Sequence, residues 1–91
     1  MQPERKYVMT VAGFDPSGGA GLLADVKTFE QCGVYGLGVN TANTLQTADK
    51  FHSIEWSKLN DVLKAIEVLL SEYPVSVVKT GIMPSFDFLY E

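Results

Sequence analysis

Residues 7–29 read Tyr7-Val8-Met9-Thr10-Val11-Ala12-Gly13-Phe14-Asp15-Pro16-Ser17-Gly18-Gly19-Ala20-Gly21-Leu22-Leu23-Ala24-Asp25-Val26-Lys27-Thr28-Phe29. Tyr7 to Ala12 reads as a strand closed by Gly13. A Pro/Gly/Ser loop follows from Phe14 to Gly19, and a helix begins at about Ala20. Leu22, Leu23, Val26 and Phe29 recur at helical spacing and give that helix an apolar stripe. Gly33 stands where a C-terminal cap belongs. The unit is therefore a strand, a glycine-rich turn and a helix.

Outward from this unit the same alternation continues. Val39 to Thr44 reads as a second strand, β-branched but unusually polar, and Asp49 to Ser53 as a connection. Trp56, Leu59, Val62, Leu63, Ile66, Leu69 and Leu70 mark a strongly amphipathic second helix ended before Pro74. Val75 to Val78 is a third strand followed by Gly81, and Ser85 is placed to cap a further helix. The order is βαβαβ with another helix starting. Alternation of this kind predicts an α/β fold with a mainly parallel sheet and right-handed crossovers. Parallel sheets are normally covered on both faces, which two helices do poorly for three strands. The expectation is the first part of a larger α/β domain, truncated at Glu91.

Bulk properties narrow the function classes. With 91 residues the chain is one domain at most, and 46% hydrophobic with 20% charged residues is ordinary globular composition. The formal net charge is −4 and no basic cluster exists, which disfavours nucleic acid and anionic membrane as partners. A single cysteine, Cys32, precludes an intrachain disulfide and fits a reducing compartment. No apolar run is long enough to cross a bilayer and no signal peptide is evident, so the expected location is cytoplasmic. The unfinished sheet edge leaves self-association as an expectation.

In open α/β sheets, ligands sit beyond the carboxyl ends of the strands. Here these ends are Gly13 onward, Thr44 to Gln46, and Gly81 to Met83, which parallel strands bring to one edge. Glycines 13, 18, 19 and 21 and Ala20 strip side-chain bulk from the first loop, so that a ligand can approach the main chain, or they form a sterically required tight turn with no ligand. The helix behind it begins with unpaired N–H groups. Asp25, on the margin of the apolar stripe, either accepts a hydrogen bond from a ligand hydroxyl or amino group or is a solvated carboxylate near a helix N-terminus. Gln46 offers a donor and an acceptor side by side, a fork that suits an aminopyrimidine edge, or it is an ordinary polar loop residue. Asn40, Thr41, Asn43 and Thr44 either support the pocket or satisfy local backbone groups. Lys79 either orients the pocket or pairs with a neighbour. Asp15 reads as a turn former beside Pro16. His52 reads as a loop surface residue, and Cys32 as a small buried hydrophobe rather than a nucleophile. No metal site is expected.

Better-known glycine motifs do not fit. GxxxxGK[ST] is absent. Gly19 to Ala24 matches G-x-G-x-x-A, but Gly13 to Gly18 separate it from the strand, and Thr44-Leu45-Gln46 lacks the acidic residue that a dinucleotide ribose needs.

The run Val11 to Gly21 followed by Ala24 to Phe29 resembles the start of hydroxymethylpyrimidine/phosphomethylpyrimidine kinases, enzymes of thiamine biosynthesis in the ribokinase-like superfamily. Val34-Tyr35-Gly36, Thr41-Ala42 with Gln46, and Val78-Lys79-Thr80-Gly81 fall at the family's spacing, so the likeness runs from about Val8 to Met83. It implies the start of a ribokinase-like three-layer sandwich, with residues 1–91 as the N-terminal, substrate-binding part of one kinase domain. It also implies phosphate transfer from ATP, with Mg2+, to 4-amino-5-hydroxymethyl-2-methylpyrimidine and then to its monophosphate. The family's pyrimidine contacts fall on Gly13, Ala20, Asp25, Thr44, Gln46 and Ile82, with Asp25 and Gln46 making the polar ones. Ile82 stands where the family commonly has methionine, and Thr44 where it often has valine. After Gln46 the chain continues Thr47-Ala48 in place of the usual Asn-Thr. Pyridoxal kinases share the glycine segment but commonly differ at the Gln46 position.

Phosphoryl transfer needs a triphosphate clamp, a metal site and a group that activates the acceptor hydroxyl. None is recognisable in these residues, and in the family they lie in the C-terminal half. No catalytic residue is assigned, and the isolated chain is expected to be inactive toward ATP. A pyridoxal kinase relative and a non-catalytic small-ligand-binding fragment are the alternatives.

Overall fold

The computed structural model describes residues 5–47 and 49–81. Its elements run β1 (Tyr7–Phe14), α1 (Gly21–Gln31), β2 (Tyr35–Gln46), β3 (Phe51–Trp56), α2 (Leu59–Glu72) and β4 (Val75–Thr80). They form a four-stranded sheet in the order β3-β2-β1-β4. β1 is parallel to both β2 and β4, while β3 pairs antiparallel with β2.

The order is thus βαββαβ rather than βαβαβ. The segment Asp49 to Ser53, expected as a connection, feeds the added strand β3, and Trp56 belongs to that strand instead of the helical stripe. β3 was hidden because it is an exposed edge with only Ile54 partly buried, so it lacks the alternating pattern of a half-buried strand. His52 accordingly lies on an exposed strand, not a loop. β2 also begins earlier than Val39, because Gly36 and Gly38 mask a stretch that pairs residue for residue with β1 from Tyr7 to Ala12. Leu70 is exposed on α2, and the helix expected after Ser85 lies outside the described residues.

Alternation along the strands divides the sheet into two faces. Met9 and Val11 stand opposite Leu37 and Val39 and point to one side. There they meet Val62, with Ala65, Ile66, Leu69 and Tyr73 packed around it, a helical i, i+3, i+4 set. Thr10, Ala12, Gly36 and Gly38 face the other side, under α1. A Cβ on Gly38 would lie 2.7 Å from Leu22 Cδ1, and one on Gly36 would lie 3.0 Å from the Phe29 ring. The absence of side chains at these two positions lets α1 lie close on the sheet, although no α1 residue is fully buried.

The helix ends follow local chemistry. Val34 N–H donates to the Phe29 carbonyl and Gly33 N–H to that of Glu30, the paired bonds of a Schellman cap. Cys32, at this cap, is exposed, not buried as expected, because the chain turns there and no element covers it. α2 stops at Tyr73, whose extended backbone is what a following proline favours. Arg5 braces the start of β1. Its guanidinium donates to Glu30 Oε2 and to the Val34 carbonyl, both at 2.7 Å, and lies over the Tyr35 ring.

Candidate functional site

The parallel strands β1, β2 and β4 end on one edge of the sheet, as expected, and their ends surround a cavity of about 340 Å³. β1 contributes Gly13 and Phe14, β2 contributes Thr44 and Gln46, and the end of β4 contributes Lys79 and Gly81. Asp15, Ala20 and Gly21 close it from the glycine-rich turn, and Phe51 closes it from β3.

The turn is held by its own short hydrogen bonds. Asp15 is 6% exposed, and its Oδ1 accepts from the Ser17 amide at 2.8 Å and the Ser17 hydroxyl at 2.7 Å. Gly18 N–H donates to the Asp15 carbonyl. The Ser17 hydroxyl above all, with the surrounding amides of Ser17, Ala20 and Gly19, holds the Asp15 carboxyl below its ordinary value against the opposing effect of burial. Asp15 is therefore the turn former anticipated from the sequence, and it also lines the cavity.

Gly21 opens α1 at φ +68°, and a Cβ there would collide with the Gly13 carbonyl oxygen. This contact brings the start of α1 against the end of β1. Ala20, the residue before the helix, supplies no side-chain cap. The first turn of α1 thus faces the cavity edge without a side-chain oxygen over its amides.

Thr44 and Gln46 lie two residues apart on β2 and share a face. Thr44 Oγ1 donates to the Phe14 carbonyl at 2.8 Å, and Gln46 Nε2 donates to Thr44 Oγ1 at 2.7 Å. Phe51 stands in register with Gln46 across the β2–β3 pair, which puts its ring on the same side. Phe51 gives no periodic site signal in the sequence because the strand that carries it is exposed and lacks a buried face. An aromatic residue five positions after Gln46 is the available signal.

Asp25 lies one layer behind. Its Oδ2 accepts from the fully buried Thr10 hydroxyl at 2.6 Å and from Lys79 Nζ at 2.8 Å. Thr10 and Lys79 are cross-strand partners between β1 and β4, so one carboxylate ties α1 to both strands. The two readings of Lys79 are both met: it pairs with a neighbour and it lines the cavity. Of the six residues singled out from the sequence, Gly13, Ala20, Thr44 and Gln46 come together at the cavity wall. Asp25 reaches the wall through Lys79, and Ile82 lies outside the described residues.

Among the described residues, no three His, Cys, Asp or Glu side chains converge as a metal site requires. No helix among the described residues is long and apolar enough to cross a membrane.

Comparison with known proteins gives a consistent picture. The family model described as phosphomethylpyrimidine kinase matches residues 15–89. A hydroxymethylpyrimidine/phosphomethylpyrimidine kinase from Aquifex aeolicus is 36% identical over 75 residues, which cover 82% of this chain and 29% of that protein. A crystal structure of phosphomethylpyrimidine kinase from Clostridium difficile superposes with TM-score 0.87 at 36% identity, over 94% of this chain and 37% of the other. Bacillus subtilis pyridoxal kinase, solved as an ADP complex, superposes with TM-score 0.85 at 28% identity, over 96% and 34%. The chain thus spans 29% to 37% of these proteins, and the α/β, ribokinase-like fold expected from the sequence holds over that part.

Proposed function

The chain belongs to the phosphomethylpyrimidine kinase family, and from that premise we propose that it supplies the pyrimidine-binding part of an ATP-dependent kinase. The substrates are 4-amino-5-hydroxymethyl-2-methylpyrimidine and its monophosphate. The observation that carries this reading is the convergence of Gly13, Ala20, Thr44 and Gln46 on one cavity at the carboxyl edge of the parallel strands. Gly13 and Ala20 leave room for a flat ring against the main chain. Phe51 offers an aromatic face, and Gln46 an amide for the amino-bearing edge.

Asp25 belongs to the same binding set, and Ile82 is assigned to it from the family resemblance alone. The Asp25 side chain is 17% exposed. It holds Lys79 at the wall, and its Oδ1 has no hydrogen-bond partner among the described residues. ATP and Mg2+ are required by the chemistry, and the groups that clamp the triphosphate are assigned to sequence other than these residues. The location follows from the same reading as cytoplasmic. The outer edge of β4 is unpaired among the described residues, with Val77 56% and Val78 48% exposed, which supports self-association of the chain.

A pyridoxal kinase relative is the second reading, favoured by the superposition on the Bacillus subtilis enzyme. Calorimetric titration separates the two. The pyrimidine is expected to bind and to outcompete pyridoxal, with affinity falling about tenfold or more in Gln46→Ala. Tighter binding of pyridoxal, or an unchanged affinity in Gln46→Ala, goes against the pyrimidine reading. Binding without substrate-dependent ADP release is the expected behaviour of the 91-residue chain.

A further inference from the structure

The hydrogen bonds at Thr44 set the direction of the Gln46 amide, and this decides what the amide can recognise. A threonine hydroxyl has one hydrogen and two lone pairs. The Thr44 hydrogen is committed to the Phe14 carbonyl, a pure acceptor 2.8 Å away. Only lone pairs then remain for Gln46, whose side chain approaches to 2.7 Å. If the amide were reversed, Gln46 Oε1 and the Phe14 carbonyl would compete for one hydrogen, and two oxygens would face each other at hydrogen-bond distance. The nitrogen must therefore face Thr44. The assignment follows from counting protons.

With Nε2 turned inward, Gln46 keeps Oε1 for a ligand, and among the described residues that oxygen has no hydrogen-bond partner. We propose that Thr44 is a specificity-determining positioning residue: through the Phe14 carbonyl–Thr44–Gln46 chain it fixes Gln46 as an acceptor, so that the cavity selects a ring edge bearing an amino group over one bearing an oxygen. An exocyclic amine donates to Oε1. A ring carbonyl in its place puts oxygen against oxygen and leaves both partly desolvated. Thr44 itself does not have to touch the ring for this effect. The inference rests on the pyrimidine reading of the cavity and goes beyond it, because a freely rotating amide would accept either edge.

Two measurements on the 91-residue chain test it. The first needs no ligand. In 15N-labelled protein, the Gln46 side-chain NH2 is expected to show one downfield, slowly exchanging proton. Thr44→Ser, which keeps the hydroxyl, retains this signature, and the near-isosteric Thr44→Val loses it. The second compares affinity for 4-amino-5-hydroxymethyl-2-methylpyrimidine with that for its 4-oxo counterpart. The wild-type chain and Thr44→Ser are expected to prefer the amine, and the preference drops about tenfold in Thr44→Val. An unchanged preference in Thr44→Val, or no Gln46 signature in the wild type, overturns the role of Thr44 while leaving the pyrimidine reading standing. A normal signature with no pyrimidine binding at all instead overturns the substrate reading, and the selectivity with it.

Discussion

On the α2 face of the sheet, Met9, Val11, Leu37 and Val39 meet Val62 and the side chains around it. On the α1 face the same two strands present Thr10, Ala12, Gly36 and Gly38, with Phe29 over Gly36 and Leu22 over Gly38. The first face is a volume-filling core, and its residues could be exchanged for others of similar size at modest cost. The second gives up side-chain volume for proximity: α1 lies close on bare backbone, pinned by the Thr10–Asp25–Lys79 hydrogen bonds. Of the two described helices, α1 is the one that starts at the cavity. The contrast teaches that one face holds the sheet together, while the other fixes where the glycine-rich turn and the first turn of α1 stand relative to β1 and β4.

The sharpest way to break this contrast is Gly21→Ala. The new Cβ meets a backbone oxygen that no side-chain rotation can move, at a φ of +68°. Strain and displacement together are expected to cost about 4 kcal/mol in chemical denaturation. Any folded fraction should fail to bind the pyrimidine, since the cavity wall itself shifts. A variant that binds normally would show that the approach of α1 to β1 is not what shapes the site.

Met9→Ala attacks the opposite face. Met9 is 1% exposed, and its truncation is expected to cost about 3 kcal/mol. Here the affinity of the folded fraction should stay within about twofold of the parent, because the cavity wall is unmoved. Loss of affinity beyond the loss of folded protein would erase the division of labour between the faces.

The smallest effect concerns the turn alone. The Asp15 carboxyl is held below its ordinary value of 3.8, chiefly by the Ser17 hydroxyl. A depressed folded pKa gives stability that is complete above the unfolded value and is lost as pH falls through the folded one. Asp15→Asn should therefore lower the unfolding midpoint by a constant amount from neutral pH down to about pH 5. Below the ordinary carboxylate range the two curves should converge. Parallel curves throughout would mean that the ionised form of Asp15 contributes nothing to the turn.

Much of this was legible in the sequence where one physical signal dominated. The glycine turn, the stripe on α2 and the Gly33 cap each follow from local rules, and the convergence of strand ends follows from parallel topology. β3 was not legible because a solvent-exposed strand has no buried face to impose alternation. Its Phe51, Ile54 and Trp56 were a propensity signal, but Trp56 also falls three residues before Leu59 and so fitted the helical stripe. At the site, Gln46 could be singled out by its chemistry. Its orientation could not, because that depends on a carbonyl thirty residues earlier in the chain. The position of Asp25 behind Lys79 was equally hidden, since their pairing spans fifty-four residues.

The Arg5 brace has a practical consequence. β1 runs eight residues from this brace to the cavity edge, about 23 Å at ordinary strand rise. An affinity tag or biotin placed ahead of Arg5 therefore joins the sheet at the end opposite the cavity mouth. Immobilised by that end, the chain would present its binding edge away from a sensor surface.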